Sequence, residues 1–114
     1  YPTERGLLPG AGSIVAAIAA SSGVEPVSIG KPAPLLLEVA ARATGHSPSD
    51  AVMIGDSLIT DIPAARAVGA RSILMLTGIS GASQVAALAP AESPTAVAAD
   101  AAALAAALDR LGAE

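Results

Sequence analysis

The sequence predicts an α/β fold, a Rossmann-like parallel sheet with flanking helices. Three observations carry that expectation. From residue 27 onward, short strand-like apolar runs alternate with helix-like runs, the pattern of βαβ units and a parallel sheet. Proline and glycine punctuate the ends of those runs rather than their interiors. Finally, Asp56 and Asp61 follow directly on the apolar run Ala51-Val52-Met53-Ile54 and Gly55. Open α/β sheets place their ligand sites in that position, just beyond a strand's carboxyl end.

The elements follow in order. Residues 1–10 read as a loop, with Gly6, Pro9 and Gly10 as breakers. Ile14, Val15 and Ile18 stand at helical spacing over 13–20, and Ser21-Ser22-Gly23 ends that helix. Val27-Ser28-Ile29 is a strand candidate leading into Gly30-Lys31-Pro32. Pro32 and Pro34 open a helix through Leu35, Leu36, Leu37 and Val39 to Gly45, proline being tolerated in a first turn. After the turn cluster His46–Asp50 comes the strand at 51–54, whose continuous apolar character suits burial on both faces. Asp61 and Pro63 introduce a helix over 62–68, closed by Gly69. A strand over 72–76, a helix over 82–89 and a short strand over 95–98 follow. Asp100 then caps an Ala/Leu helix to Leu111, and the Ala-rich tail from 96 to 113 keeps Val97, Leu104, Leu108 and Leu111 as an apolar stripe.

Composition narrows the function classes. The length of 114 residues suits one domain or part of one. Alanine fills about a quarter of the positions, and Tyr1 is the sole aromatic, so the core must come from Leu, Ile, Val, Met and Ala. There is no cysteine, hence no disulfide and no thiolate metal site, which fits a cytoplasmic protein. A net charge of −4 speaks against nucleic acid as a partner. No apolar run approaches the roughly 18 residues of a spanning helix, which speaks against a membrane.

The chemistry-bearing residues are Lys31, Asp56 and Asp61. Carboxylates at a strand end suit a hard cation such as Mg²⁺, and the chain's only lysine nearby suits a phosphate. Asp61 could alternatively be a simple helix cap and Lys31 a solvated cation. Gly10-Ala11-Gly12 lacks the third glycine and the preceding strand of a dinucleotide fingerprint.

Taken together, Leu7-Leu8-Pro9-Gly10-Ala11-Gly12-Ser13, Ile29-Gly30-Lys31-Pro32, Met53-Ile54-Gly55-Asp56, Thr60-Asp61-Ile62 and Leu76-Thr77-Gly78 resemble the haloacid dehalogenase (HAD) superfamily of phosphohydrolases. The closer resemblance is to its 4-nitrophenyl phosphatase and glycerol phosphate phosphatase-like subfamily. That resemblance implies a Mg²⁺-dependent phosphatase. Its substrate would be a small phosphorylated metabolite such as glycerol phosphate, phosphoglycolate or a sugar phosphate. It implies an aspartyl-phosphate intermediate, with Lys31 neutralising charge at the substrate and Asp56 and Asp61 serving the metal.

It also implies a missing part. The family's nucleophile lies in an Asp-x-Asp-type motif on an earlier strand, and no aspartate here precedes Asp50. Residues 1–26 would then be the end of an α/β cap domain and 27–114 the C-terminal part of a partial HAD core, with a companion segment or chain supplying the N-terminal half. Homodimerisation remains open. The competing class is a non-catalytic regulatory domain of receiver type. Such domains carry their acidic pair first and their lysine last, the reverse of the order here.

Overall fold

A computed structural model describes residues 2–112; Tyr1 and the two C-terminal residues of the expected domain ranges lie outside it. Its elements are β1 (Pro2–Thr3), β2 (Gly6–Leu7), α1 (Ala11–Ser22), α2 (Leu35–Thr44), β3 (Val52–Gly55), α3 (Asp61–Ala67), β4 (Arg71–Met75), α4 (Ala82–Ala86), β5 (Ala96–Ala98) and α5 (Ala101–Gly112). Short 3₁₀ turns at Pro48–Asp50 and Pro90–Glu92 precede β3 and β5.

The main sheet has three strands in the order β3-β4-β5, all parallel. Register pairs Val52 with Arg71 and Gly55 with Leu74, then Ile73 with Ala96 and Met75 with Ala98. This is the expected parallel sheet flanked by helices. The central strand β4 carries the core. Ile73 and Leu74 are adjacent, so they point to opposite faces, and both are fully buried. Helix α5 covers the Ile73 face with Ala107 and Leu111, joined by Val52, Met75 and Leu104 at the margin. Helix α3 packs on β3 and β4, burying Ile62, Ala64 and Ala65. Small residues let both helices approach closely, which is how a core without Phe or Trp closes.

Three segments depart from expectation. Val27-Ser28-Ile29 is not a strand but exposed coil. The three-stranded sheet offers it no neighbour, and an unpaired strand satisfies its N–H and C=O groups only with water. Residues 2–7, read as loop, form a small antiparallel hairpin that turns at Glu4-Arg5, with Gly6 at φ +102° opening the second strand and Thr3 Oγ1 donating to the Gly6 carbonyl. Helix α4 stops at Ala86, short of 89, because Ala89 precedes Pro90 and takes an extended conformation at ψ 148°.

The described residues do not close into a ball. The radius of gyration is 16.2 Å, against about 13 Å for a compact domain of this length. The accessible surface is 7501 Å², where about 5,600 Å² is usual for this mass. Helix α1 buries none of its residues. Strand β3 pairs only with β4 and so forms a sheet edge, with Ile54 at 44% exposure. Beside it, α2 and β3 border an apolar groove of ≈ 190 Å³ lined by Leu37, Ala40, Val52 and Met53. No described helix is long and apolar enough to cross a membrane.

Stability should therefore reside in β4 and its two helices. Ile73→Ala is expected to cost about 3 kcal/mol in urea unfolding, whereas Ile18→Ala on exposed α1 should stay within about 0.5 kcal/mol. Equal losses at the two positions would overturn that division.

Candidate functional site

The site lies where β3 ends and α3 begins. Residues Asp56–Thr60 make the connection, and Asp61 is the first residue of α3. Locally the loop is wound by Ser57, whose carbonyl accepts the N–H groups of Asp61 and Ile62 and whose Oγ accepts that of Thr60 at 3.1 Å. The Asp61 side chain turns back over this loop. Its Oδ2 accepts the N–H groups of Asp56 at 2.9 Å and Ser57 at 3.0 Å.

The other Asp61 oxygen faces Lys31. The ammonium stands 2.7 Å from Oδ1 as an ion pair, although no hydrogen bond of regular angle reaches that atom. Asp61 is 2% exposed, while the Lys31 side chain is 44% exposed. Lys31 follows Gly30 and is joined to Pro32 by a cis peptide bond, in the turn before α2. Burial alone would push the Asp61 carboxyl up; the close Lys31 ammonium and the N–H groups of Ser57 and Asp56 outweigh it and hold it below the ordinary carboxylate value.

Asp56 sits at the loop's start, half-buried. Its Oδ2 accepts the Ile79 N–H at 3.1 Å, and its carbonyl accepts the Ser80 N–H at 3.1 Å. No described residue donates to its Oδ1. The loop after β4 thus lies against the loop after β3, as parallel neighbours require. Both contacts are close enough to demand glycine. A Cβ on Gly55 would overlap the Asp61 carboxylate, and one on Gly78 would overlap that of Asp56.

All three residues singled out in the sequence come to one end of the sheet. Lys31 contacts Asp61 directly, and Asp61 contacts the Asp56 backbone. Asp61 is more than a helix cap, since one of its oxygens bonds the loop and the other the lysine. Ser57, Ile79 and Ser80 were not singled out, and Gly78 entered only through the Leu76-Thr77-Gly78 motif of the resemblance. A serine in a loop carries no signal of its own burial.

The donor set can be tested against a divalent cation. Asp56 presents a carboxylate oxygen free of hydrogen bonds, and both acidic groups offer hard oxygen. No cluster of three or more His, Asp or Glu suited to a metal exists among the described residues. Mg²⁺ is commonly held by one or two carboxylates with water and substrate phosphate completing the octahedron, so the residues present fit it. Asp61, with both oxygens engaged, is the less available of the two.

A parallel α/β sheet with a lysine and two aspartates at its carboxyl end is common to more than one class of protein, and comparison with known proteins decides between them. The HAD-hydrolase-like family model matches residues 28–104, so the chain belongs to that family. It is 46% identical over 78 residues to a 5'-nucleotidase of Bacillus subtilis, covering 68% of this chain and 30% of that protein. It is 45% identical over 95 residues to D-glycerol 3-phosphate phosphatase of Mycobacterium tuberculosis, covering 82% and 26%. The crystal structure of a glycerol phosphate phosphatase from that organism, in complex with magnesium, superposes with a TM-score of 0.76 at 41% identity, covering 91% of this chain and 31% of that one. A 4-nitrophenylphosphatase of Thermotoga maritima superposes with a TM-score of 0.79 at 36% identity, covering 93% and 40%. The resemblance to the 4-nitrophenyl phosphatase and glycerol phosphate phosphatase-like subfamily is therefore real, and the chain spans less than a third of the curated relatives it matches.

The depressed Asp61 carboxyl makes stability pH-dependent with a definite sign. Because the folded-state value lies below the unfolded one, its contribution is full above about pH 4 and is lost as pH falls through the lowered value. In urea melts, the gap between the parent chain and Asp61→Asn should hold steady from pH 7 to 5 and shrink below about pH 4. A gap that instead widened in acid would contradict the assignment.

Proposed function

We infer that this chain is the metal-binding and charge-neutralising part of a Mg²⁺-dependent phosphatase that hydrolyses a small phosphate monoester through an aspartyl-phosphate intermediate. The observation that carries this is the Lys31–Asp61–Asp56 constellation. One buried carboxylate fixes an ammonium on one oxygen and the backbone of a second aspartate on the other. Phosphoryl transfer needs positioned positive charge around the transferring group and little other chemistry from the protein.

Each residue has a role in that reading. Lys31, held in place by Asp61 yet half-exposed, binds the phosphate oxygens and offsets their charge. Asp56 is the metal ligand through its free oxygen. Asp61 serves the metal site from behind, through water or by orienting Lys31 and the Asp56 loop. When bound, Mg²⁺ would add positive charge beside the phosphate that the side chains alone cannot supply. The nucleophilic aspartate would come from outside this chain, since Asp56 and Asp61 are committed to other contacts and no aspartate precedes Asp50. Glycerol phosphates, nucleotides and sugar phosphates are the substrate class that the relatives' activities suggest.

The proposal extends to organisation. Residues 1–26 are read as the end of a cap and 27–114 as the C-terminal part of the core. In support, the family match begins at residue 28 and α1 is unburied. The open edge of β3 is where the N-terminal half would add its strand.

Release of 4-nitrophenol from 4-nitrophenyl phosphate tests the reading. The chain alone with Mg²⁺ should be inactive, and the chain joined to a family N-terminal half should turn over and be silenced by EDTA. In the joined protein, Asp56→Asn and Lys31→Met should each lower kcat by a factor on the order of 10³. Turnover that survives EDTA and Asp56→Asn would sink the metal assignment. Robust turnover by the isolated chain would refute the external nucleophile.

A further inference from the structure

The loop bearing Asp56 is held from within by Ser57 and Asp61, and from across the sheet by Ser80. Ser80 is 5% exposed although its neighbours Ile79 and Gly81 are both exposed. Burying a hydroxyl costs free energy unless it is bonded, and the Ser80 contacts all run to one place. Its Oγ accepts the Leu58 N–H at 3.0 Å, and its own N–H donates to the Asp56 carbonyl at 3.1 Å. The residue before it, Ile79, donates its N–H to Asp56 Oδ2 at 3.1 Å. Among the described residues, Ser80 supplies the one side-chain hydrogen bond that reaches residues 56–60 from elsewhere in the chain; the others come from Ser57 and Asp61.

These contacts form a clamp. The Ser80 hydroxyl bonds the far side of the loop at Leu58, while the backbone of residues 79 and 80 bonds its near side at Asp56. The carboxylate of Asp56 cannot turn without losing the Ile79 bond, and that bond keeps its length only while the two loops stay in register. Gly78 is the remaining piece, because any side chain there would drive the loops apart.

We propose that Ser80 is a positioning residue for Asp56, locking the loop after β4 to the loop after β3. The Ile79 N–H then holds Oδ2 and leaves Oδ1 as the oxygen offered to a hard divalent cation. This rests on the reading of Asp56 as a metal ligand. Ser80 touches neither cation nor substrate; it acts through the geometry of Asp56. Outer contacts of this kind commonly change metal affinity by about 10- to 100-fold when removed.

The test uses the complete 114-residue chain, labelled with ¹⁵N and titrated with Mn²⁺. Paramagnetic broadening of the amides of 55–61 and 78–81 reports binding, and amide exchange without metal reports the clamp. Ser80→Ala should weaken the Mn²⁺ midpoint by about tenfold and speed exchange at Leu58 and Ile79, with little change in melting temperature. Ser80→Thr, which keeps the hydroxyl, should restore both. If Ser80→Ala does not fold, Ser80→Cys takes its place, since it keeps the shape with a much weaker acceptor. An unchanged midpoint in the folded variant overturns the proposal alone, as does a loss of affinity that merely tracks melting temperature and that Ser80→Thr fails to rescue. A parent chain whose Asp56 region shows no broadening refutes the metal-ligand reading and the proposal with it.

Discussion

The carboxylate of Asp61 is the point on which this end of the molecule depends. A buried charge costs several kcal/mol in lost hydration. Here that cost is offset by two charge-assisted bonds from backbone N–H groups and by an ammonium at 2.7 Å. The consequence is a constraint on three separate stretches of chain. The start of α3, the end of β3 and the turn before α2 must meet, or a buried anion is left without partners. Lys31 is the only one of these groups with substantial access to solvent. The arrangement is therefore asymmetric, a buried anion holding a half-exposed cation.

The sheet explains why the site sits at a margin rather than in a pocket. Strand β4 is covered by helices on both faces and flanked by strands on both sides, and it holds the two fully buried large residues. Strand β3 has a neighbour on one side only. Asp56 follows that strand's end directly, Asp61 opens the helix after it, and Lys31 meets them from the turn before α2. The half-exposed Ile54 and the apolar groove between α2 and β3 both lie on or beside that edge strand. In the proposed function these are one fact rather than two: a fourth strand on β3 would cover the edge.

Much of this was legible in the residue pattern, because the signals were of a kind that sequence carries. The runs at 51–54 and 72–76 and the capped helix 100–111 announce themselves through apolar periodicity and punctuation, and they match β3, β4 and α5 closely. Lys31 and Asp56 stand out as charged residues directly after glycine, and Asp61 as a second carboxylate just before a helix. The strand expected at 27–29 failed for a reason local pattern cannot contain, since strandness depends on a partner that these residues do not have. The hairpin of residues 2–7 was missed because two-residue strands have no period to detect. Ser57 and Ser80 were invisible for another reason: nothing about a serine in sequence distinguishes a solvated hydroxyl from one buried within its own loop, as in Ser57, or against a loop 22 residues away, as in Ser80.

The glycines complete the physical argument. Gly55 and Gly78 end neighbouring parallel strands or follow them, and each lies under the carboxylate of an aspartate from elsewhere. Their backbone angles are not in the left-handed region, so conformational freedom is not what these positions require. What they require is the absence of a Cβ. Asp61 reaches over Gly55 to bond the next two N–H groups, and Asp56 lies over Gly78 to bond Ile79. A methyl at either place would displace an anion from the donors that make its burial tolerable. The interlock runs from α3 to the end of β3, and from there to the loop after β4. Glycine at both crossings is thus dictated by the room the two carboxylates need rather than by turn geometry.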